Sequence, residues 1–311
     1  MGHLKKGQWH NDDVATSDAD GAFKREESSY RSRLSSKSEF KPEPGRYQLY
    51  VSYACPWAHR ALITRKLKGL ENAIGVSVVH PEMLENSWSF RTDFPETTGD
   101  ELYGLKYLYE LYQLDDPEAS TKVTVPVLWD KETKKIVNNE SSEIIRILNE
   151  DFGELAKDSN NLYPEALREE IDEINNRIYE TINNGVYKTG FAKNQDSYEK
   201  AFVSLFCALD SIEDRLKGRD FLVGECLTEA DIRLVTTLLR FDCVYFVHFK
   251  CNNKRIADYP HLSRYMKRLY SMSEIRETTN FAHIKHHYYF SHDFLNPNRI
   301  VPLGPKDPLS L

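Results

Sequence analysis

No stretch of this sequence approaches the roughly 20 consecutive apolar residues that a helix needs to cross a bilayer, and the first thirty residues hold no apolar leader. A cytoplasmic location without membrane attachment is therefore expected. Met1-Gly2 opens like a myristoylation signal, but Lys6 stands where that signal requires Ser or Thr. Positive charge is also scarce. Against 41 Lys and Arg stand 48 Asp and Glu, a formal net charge of -7, which lacks the basic footprint of nucleic-acid binding. Cysteine is sparse: Cys55, Cys207, Cys226, Cys243 and Cys251, irregularly spaced in 311 residues, argue against a secreted disulfide framework. What is present, 40% hydrophobic and 29% charged residues, is a globular composition, long enough for two domains of ordinary size.

Residues 1–44 are rich in Ser, Asp, Lys and Arg, and their apolar residues Trp9, Phe23, Tyr30, Leu34 and Phe40 are too scattered to suggest a core. They read as an arm draped over a domain or partly disordered. From Arg46 the residues alternate, putting Tyr47, Leu49 and Val51 on one face of a strand. Cys55-Pro56-Trp57 follows at once, then a helix over Ala58 to Lys68 closed by Gly69, and a second strand over Ile74 to Val79. This is a βαβ unit with a right-handed crossover. Beyond a loop containing Trp88, the sequence predicts a tyrosine-rich helix near Glu101 to Gln113. A strand over Val123 to Asp130 interrupted by proline comes next, then an antiparallel partner over Lys135 to Asn138. A helix entered through Asn138-Asn139-Glu140-Ser141-Ser142 runs to about Asn149. That order gives a thioredoxin-like α/β domain over 45–152. In 164–311 the period becomes helical: Ile171, Ile174, Ile178 and Ile182 form one stripe, and Leu205, Leu209, Ile212 and Leu216 another. This half is expected to be an all-α helical bundle with a C-terminal tail. Thr228-Glu229-Ala230-Asp231 has the form of a helix capping box, with Asp where Glu is usual.

Cys55 follows a strand and precedes a helix whose first position is Pro56, a residue whose missing N–H costs nothing there. The unpaired N–H groups of that helix start favour thiolate over thiol, so Cys55 is expected to be a nucleophile at neutral pH. A buried structural cysteine ahead of a proline is the plainer alternative. Cys207 lies in the apolar stretch Phe202 to Leu209 and reads as core, and Cys226, Cys243 and Cys251 have no comparable helix start. A dithiol oxidoreductase would carry its second cysteine where this chain has Ala58. A mixed disulfide on Cys55 must then be resolved by an external thiol, which in cytosol means glutathione.

Groups to hold glutathione are at hand. Pro126, expected to follow a cis bond, would leave the main chain of Val125 to pair with the ligand as a strand does. Glu140 suits the ammonium group, and Ser141 at a helix start suits the γ-glutamyl carboxylate. Trp88 suits a cover, and Arg91 or Lys122 suits the glycyl carboxylate. Each has a plainer reading: Glu140-Ser141 as a helix start alone, Trp88 as packing, the two cations as solvated charges.

Long motifs make the sequence resemble the xi-class glutathione transferases, also called glutathionyl-hydroquinone reductases and related to the omega class. They are Tyr50-Val51-Ser52-Tyr53-Ala54-Cys55-Pro56-Trp57-Ala58-His59-Arg60, Thr124-Val125-Pro126-Val127-Leu128-Trp129-Asp130, Val137 through Ile144, Ile182 through Ala192, Leu227 through Asp231, and Arg240 through Asn252. The resemblance covers nearly the whole chain and implies glutathione transferase architecture. It implies Cys55 as nucleophile, Trp88, Val125, Glu140 and Ser141 as glutathione ligands, and Tyr187 and Tyr245 as the tyrosines lining the pocket for the electrophile. The implied reaction removes glutathione from S-glutathionyl-hydroquinones, with glutathione as co-substrate, no tightly bound cofactor and a homodimeric assembly. This chain departs from the family at Ser87, where Gly usually precedes the covering tryptophan, at Lys122, often Arg, and in a short stretch from Phe90 to Lys106. A broader omega-like thioltransferase or dehydroascorbate reductase would use the same Cys55. A carrier of quinones or other hydrophobic ligands would leave it idle. The histidines His283, His286, His287 and His292 lack a carboxylate–histidine pair at ligand spacing, and read as a packed tail rather than a metal site.

Overall fold

The chain starts in a short antiparallel pair, β1 (His3–Lys5) and β2 (Gln8–His10), whose first strand also pairs with β5 (Thr121–Lys122). The larger sheet has the order β4-β3-β6-β7. In it β3 (Tyr47–Val51) runs parallel to β4 (Ile74–Val78) and antiparallel to β6 (Val127–Asp130), which continues antiparallel to β7 (Lys135–Asn138). The crossover between β3 and β4 is α1 (Pro56–Leu67). Gly69 turns the chain out of this helix at φ +62, a conformation that favours glycine. The elements α2 (Leu108–Asp115) and α3 (Ser141–Glu150) complete this half. The computed structural model describes residues 2–11, 17, 18 and 20–305. The chain divides into two units, Met1–Val14 with Glu26–Asn160 and Ala15–Arg25 with Asn161–Leu311.

Three details of the first unit depart from expectation, each for a local reason. All five residues of β3 are buried, because neighbouring strands flank it on both sides and Gln48 and Tyr50 find partners: Gln48 Nε2 donates to Ser77 Oγ at 2.8 Å and Tyr50 Oη to Asp100 Oδ1 at 2.9 Å. The tyrosine-rich helix begins at Leu108 rather than near Glu101. The Asp100 carboxylate accepts from the backbone N–H groups of Tyr103 at 3.1 Å and Leu105 at 3.0 Å, holding 100–105 in turns, and Glu110 caps the delayed helix. Leu34 and Phe40, which sequence spacing leaves as scattered arm residues, are buried in the hydrophobic core of this unit, as is Leu4. Parts of that arm (1, 12–16, 19) and the end of the tail (306–311) lie outside the described residues.

The second unit is helical: α4 (Arg168–Ile178), α5 (Gly185–Gly190), α6 (Gln195–Arg215), α7 (Glu229–Arg240), α8 (Phe246–His248), α9 (Pro260–Ser271), α10 (Ser273–Arg276) and α11 (Phe281–Ser291). Both isoleucine and leucine stripes are buried along their lengths. The capping box forms as expected, with Asp231 Oδ2 accepting from Thr228 N at 2.8 Å. Its Oδ1 accepts from Leu222 N and Tyr265 Oη, so this carboxylate also ties two other segments to the helix. No helix among the described residues is long and apolar enough to cross a membrane.

Candidate active site

Cys55 is the residue immediately before α1, in extended conformation, with Pro56 opening the helix. The Cys55 side chain makes no capping bond of its own, and the N–H dipoles of the helix start act on the thiol that stands there. The half-buried Sγ donates to the Val125 carbonyl at 3.6 Å. Val125 precedes a cis peptide bond to Pro126 and lies just before the first paired residue of β6, which begins at Val127. The nucleophile candidate and the expected main-chain ligand thus meet directly.

Two further ties bring Ser141 and Glu140 into the same frame. Arg60, one turn into α1 and buried, donates through Nη1 to Ser141 Oγ at 3.4 Å while its guanidinium lies 4.5 Å from the Trp57 ring centroid. Tyr112 is the second, and sequence reasoning missed it. Its hydroxyl donates to Thr124 O at 3.0 Å and accepts from Thr124 N at 3.3 Å and from Asn139 Nδ2 at 3.2 Å, satisfying the group fully. One buried phenol therefore holds the segment before Val125 against the segment before Glu140. Burial raises its ionisation above the usual range, leaving it a neutral bridge. Only a tyrosine in a predicted helix marked it beforehand.

Glu140 serves as the N-cap of α3: Oε1 accepts from Ser142 N at 3.0 Å and Ser142 Oγ at 2.9 Å, and Oε2 accepts from Ser28 Oγ at 3.0 Å. Trp88 is mostly buried in the core of the first unit at 6% exposure. Ser87 before it adopts φ 58, which explains in physical terms why glycine suits that position. Of the two cations considered for a glycyl carboxylate, Lys122 pairs with Glu26 at 3.3 Å and Arg91 with Glu82 at 2.8 Å.

The remaining cysteines separate by setting. Cys207 does not enter the core: α6 buries Leu205, Phe206, Ala208, Leu209 and Ile212, which leaves Cys207 exposed on the opposite face. Cys226 is exposed as well. Burial pushes the Cys243 thiol up to about 12 and Cys251 higher still, so both stay protonated.

In the second unit, Tyr187 and Tyr245 converge on Tyr288 of α11, a residue sequence reasoning left in the packed tail. Tyr288 Oη lies 2.6 Å from Tyr187 Oη and 2.9 Å from Tyr245 Oη. The convergence arises from two π-helical turns, Tyr179–Asn183 leading into α5 and Phe241–Tyr245 leading into α8. Each widens its helix by a residue and rephases the next turn of side chains. Asn183, in the first of these turns, ties it to α7, the helix that leads into the second, through Nδ2 donation to Arg233 O at 3.1 Å and Thr237 Oγ1 at 2.8 Å. Gly190 lets the Phe249 ring approach so closely that a Cβ would stand 2.3 Å from it, and that ring packs on Tyr187 and Tyr245. Burial first, then the neighbouring Tyr187, pushes ionisation of Tyr245 and Tyr288 well above the usual range. These phenols are neutral hydrogen-bond groups at physiological pH. His292 meets His248 at 3.3 Å, and burial lowers both, His248 to about 4, so they too are neutral. Among the described residues no group of three or more His, Cys, Asp or Glu is placed to hold a metal.

Residues 54–151 match the glutathione S-transferase N-terminal domain and 195–268 the glutathione S-transferase C-terminal domain. The glutathionyl-hydroquinone reductase PcpF of Sphingobium chlorophenolicum is 52% identical over 309 residues, 99% of this chain and 98% of that protein. The crystal structure of the Xi glutathione transferase from Phanerochaete chrysosporium is similar at a TM-score of 0.91 and 52% identity, covering 94% of this chain and 95% of that one. Glutathione-bound YqjG from Escherichia coli K-12 is similar at 0.91 and 47% identity, covering 100% and 97%.

Proposed function

The chain belongs to the xi class of glutathione transferases, and from that premise we propose that it is a glutathionyl-hydroquinone reductase working through a mixed disulfide on Cys55. In the first step the Cys55 thiolate attacks the glutathionyl sulfur of an S-glutathionyl-hydroquinone. A sulfur–sulfur bond forms, the aromatic carbon–sulfur bond breaks, and the carbon takes a proton to give the hydroquinone. In the second step a glutathione thiolate attacks the glutathionyl sulfur held on Cys55. Glutathione disulfide leaves, and the helix start of α1 stabilises the departing Cys55 thiolate. The sum is one glutathionyl-hydroquinone and one glutathione consumed, one hydroquinone and one glutathione disulfide formed.

The observation that carries this reading is Cys55 at the start of α1, in contact with Val125 O, with Ala58 where a resolving cysteine would stand. Val125, Glu140, Ser141 and Trp88 are the proposed glutathione ligands. Tyr187 and Tyr245 are proposed to donate hydrogen bonds to the quinol oxygen as the carbon leaves sulfur, with Tyr288 orienting both hydroxyls. Membership of the class also supports a homodimer in the cytoplasm. A broader thioltransferase is the second reading, favoured by the fact that Cys55 and the four proposed glutathione ligands all lie within the first unit.

Turnover decides. Purified protein given an S-glutathionyl-hydroquinone and glutathione is expected to release hydroquinone and glutathione disulfide one for one, and Cys55→Ser to release neither, because a serine hydroxyl does not ionise near neutral pH. Binding without turnover would make the protein a carrier and sink the proposal.

A further inference from the structure

The segment 17–25 belongs to the second unit, and its fixation there goes beyond what an arm needs. Asp18 Oδ1 accepts from Asp20 N at 3.0 Å and Ala22 N at 2.9 Å, closing a turn, and that turn is pinned to the start of α6: Asp20 O accepts from Asn194 Nδ2 and from Ser197 Oγ, each at 2.8 Å. The turn delivers Phe23 and Arg25 to the ring of Tyr187. Phe23 is buried and stacks on Tyr187 at 6.1 Å between centroids. The Arg25 guanidinium carbon lies 5.0 Å from the Tyr187 centroid and 5.2 Å from that of Phe23. Its Nε donates at 2.8 Å to Oδ1 of Asn184, itself buried, which immediately precedes α5, the helix that carries Tyr187. The cation is thus held to the same turn of chain as the phenol it covers.

We propose that Arg25 is a positioning residue for hydroquinone reduction, acting through Tyr187 by fixing the phenol ring and strengthening its hydroxyl as a hydrogen-bond donor. This rests on the reading of Tyr187 as the group that meets the quinol oxygen. A cation over the ring face draws on its electron density, and a phenol so polarised donates more strongly to an oxygen gaining charge in the transition state. A cation–ring contact of this kind corresponds to about a 2- to 30-fold change in rate. Its effect belongs to kcat, since the charge it answers develops only during reaction. Reduction of a small linear disulfide, with a thiolate leaving group, does not call on the phenol.

The test is a double-mutant cycle read with both substrates. Arg25→Met, which keeps the stem and removes the charge and plane, is expected to lower kcat for an S-glutathionyl-hydroquinone about 10-fold, with KM within two-fold, disulfide reduction unchanged and the thermal midpoint retained. Arg25→Lys, a cation without the planar fork, is expected to fall between Arg25→Met and the wild type, and serves if Arg25→Met does not fold. In a Tyr187→Phe background, Arg25→Met is expected to add nothing, because the hydroxyl through which it acts is gone. Equal loss on both substrates, or losses that multiply in the double variant, would overturn the proposal. If Tyr187→Phe alone slowed both substrates alike, the reading of Tyr187 would fall, and this proposal with it; a selective Tyr187→Phe with an additive Arg25→Met overturns only the latter.

Discussion

At the scale of single residues, chemistry divides chemically similar groups by where each sits. Cys243 and Cys251 are kept protonated by burial, Cys207 lies on the outer face of α6, and Cys55 alone of the five stands at a helix start. The setting of Cys55 was legible in the sequence because strand, cysteine, proline and helix are consecutive, whereas the exposure of Cys207, which the apolar stretch around it reads as core, was not. Glu140 was legible only in part, since its N-cap bonds to Ser142 give it a structural role besides any role toward ligand. Two substitutions separate the roles. Glu140→Gln retains an acceptor for the cap but loses the charge, so glutathione affinity is expected to drop by about 1.5–3 kcal/mol with stability nearly unchanged. Glu140→Ala is expected to lose the same affinity and about 1 kcal/mol of stability besides. Calorimetric titration and urea unfolding read the two effects, and full affinity in the Gln variant would leave Glu140 as a cap only. Ser87 offers a third check: at φ 58 its side chain is strained, and Ser87→Gly is expected to raise unfolding free energy by about 0.5–1 kcal/mol. A loss of stability on urea unfolding would show that the Ser87 side chain contributes contacts outweighing the strain.

At the scale of elements, what the sequence hid was whatever depends on distant contacts. The strands β1 and β2 are three residues each, too short for a periodicity to emerge, and exist because β5 offers β1 an edge. Tyr112 and Tyr288 take their importance from partners far along the chain, Thr124 and Asn139 for one, Tyr187 and Tyr245 for the other. Nothing local distinguishes them among eighteen tyrosines. The π-helical turns that aim Tyr187 and Tyr245 leave no mark in an apolar pattern either. The sheet itself is anchored by a buried ion pair with a pH signature. Arg46 Nε donates to Asp130 Oδ1 at 2.8 Å, and Asp130 also accepts from Glu132 N and Thr133 Oγ1. Burial works to raise the Asp130 carboxyl, but the Arg46 bond and these others together hold it below the usual range. Because the folded value lies below the unfolded one, the stabilisation is complete above pH of about 4 and is lost as pH falls through the folded value. Thermal midpoints taken from pH 6 down to 2 are expected to show that loss. Asp130→Asn removes the buried charge opposite Arg46, which keeps Glu43 and Glu132 at 3.1 Å, and is expected to cost about 1.5–3 kcal/mol at neutral pH and to flatten the acid limb. An acid limb as steep in the variant as in the wild type would assign it to other carboxylates.

At the scale of the whole molecule, the two units bring different chemistry. The first holds the thiol and the groups proposed to bind glutathione, which would serve any glutathione-dependent thiol exchange. The second holds the three buried phenols, whose proposed work arises only when the leaving group is a phenolic carbon. The hydroquinone assignment therefore stands or falls on selectivity, and the most direct measurement compares kcat for an S-glutathionyl-hydroquinone with kcat for a small linear disulfide in the wild type, Tyr187→Phe and Tyr245→Phe. Each Phe variant keeps the ring and its packing and deletes one hydroxyl. Hydroquinone turnover is expected to fall on the order of 10- to 1000-fold while disulfide reduction changes little; an equal fall on both substrates would contradict the assignment and leave a general thioltransferase.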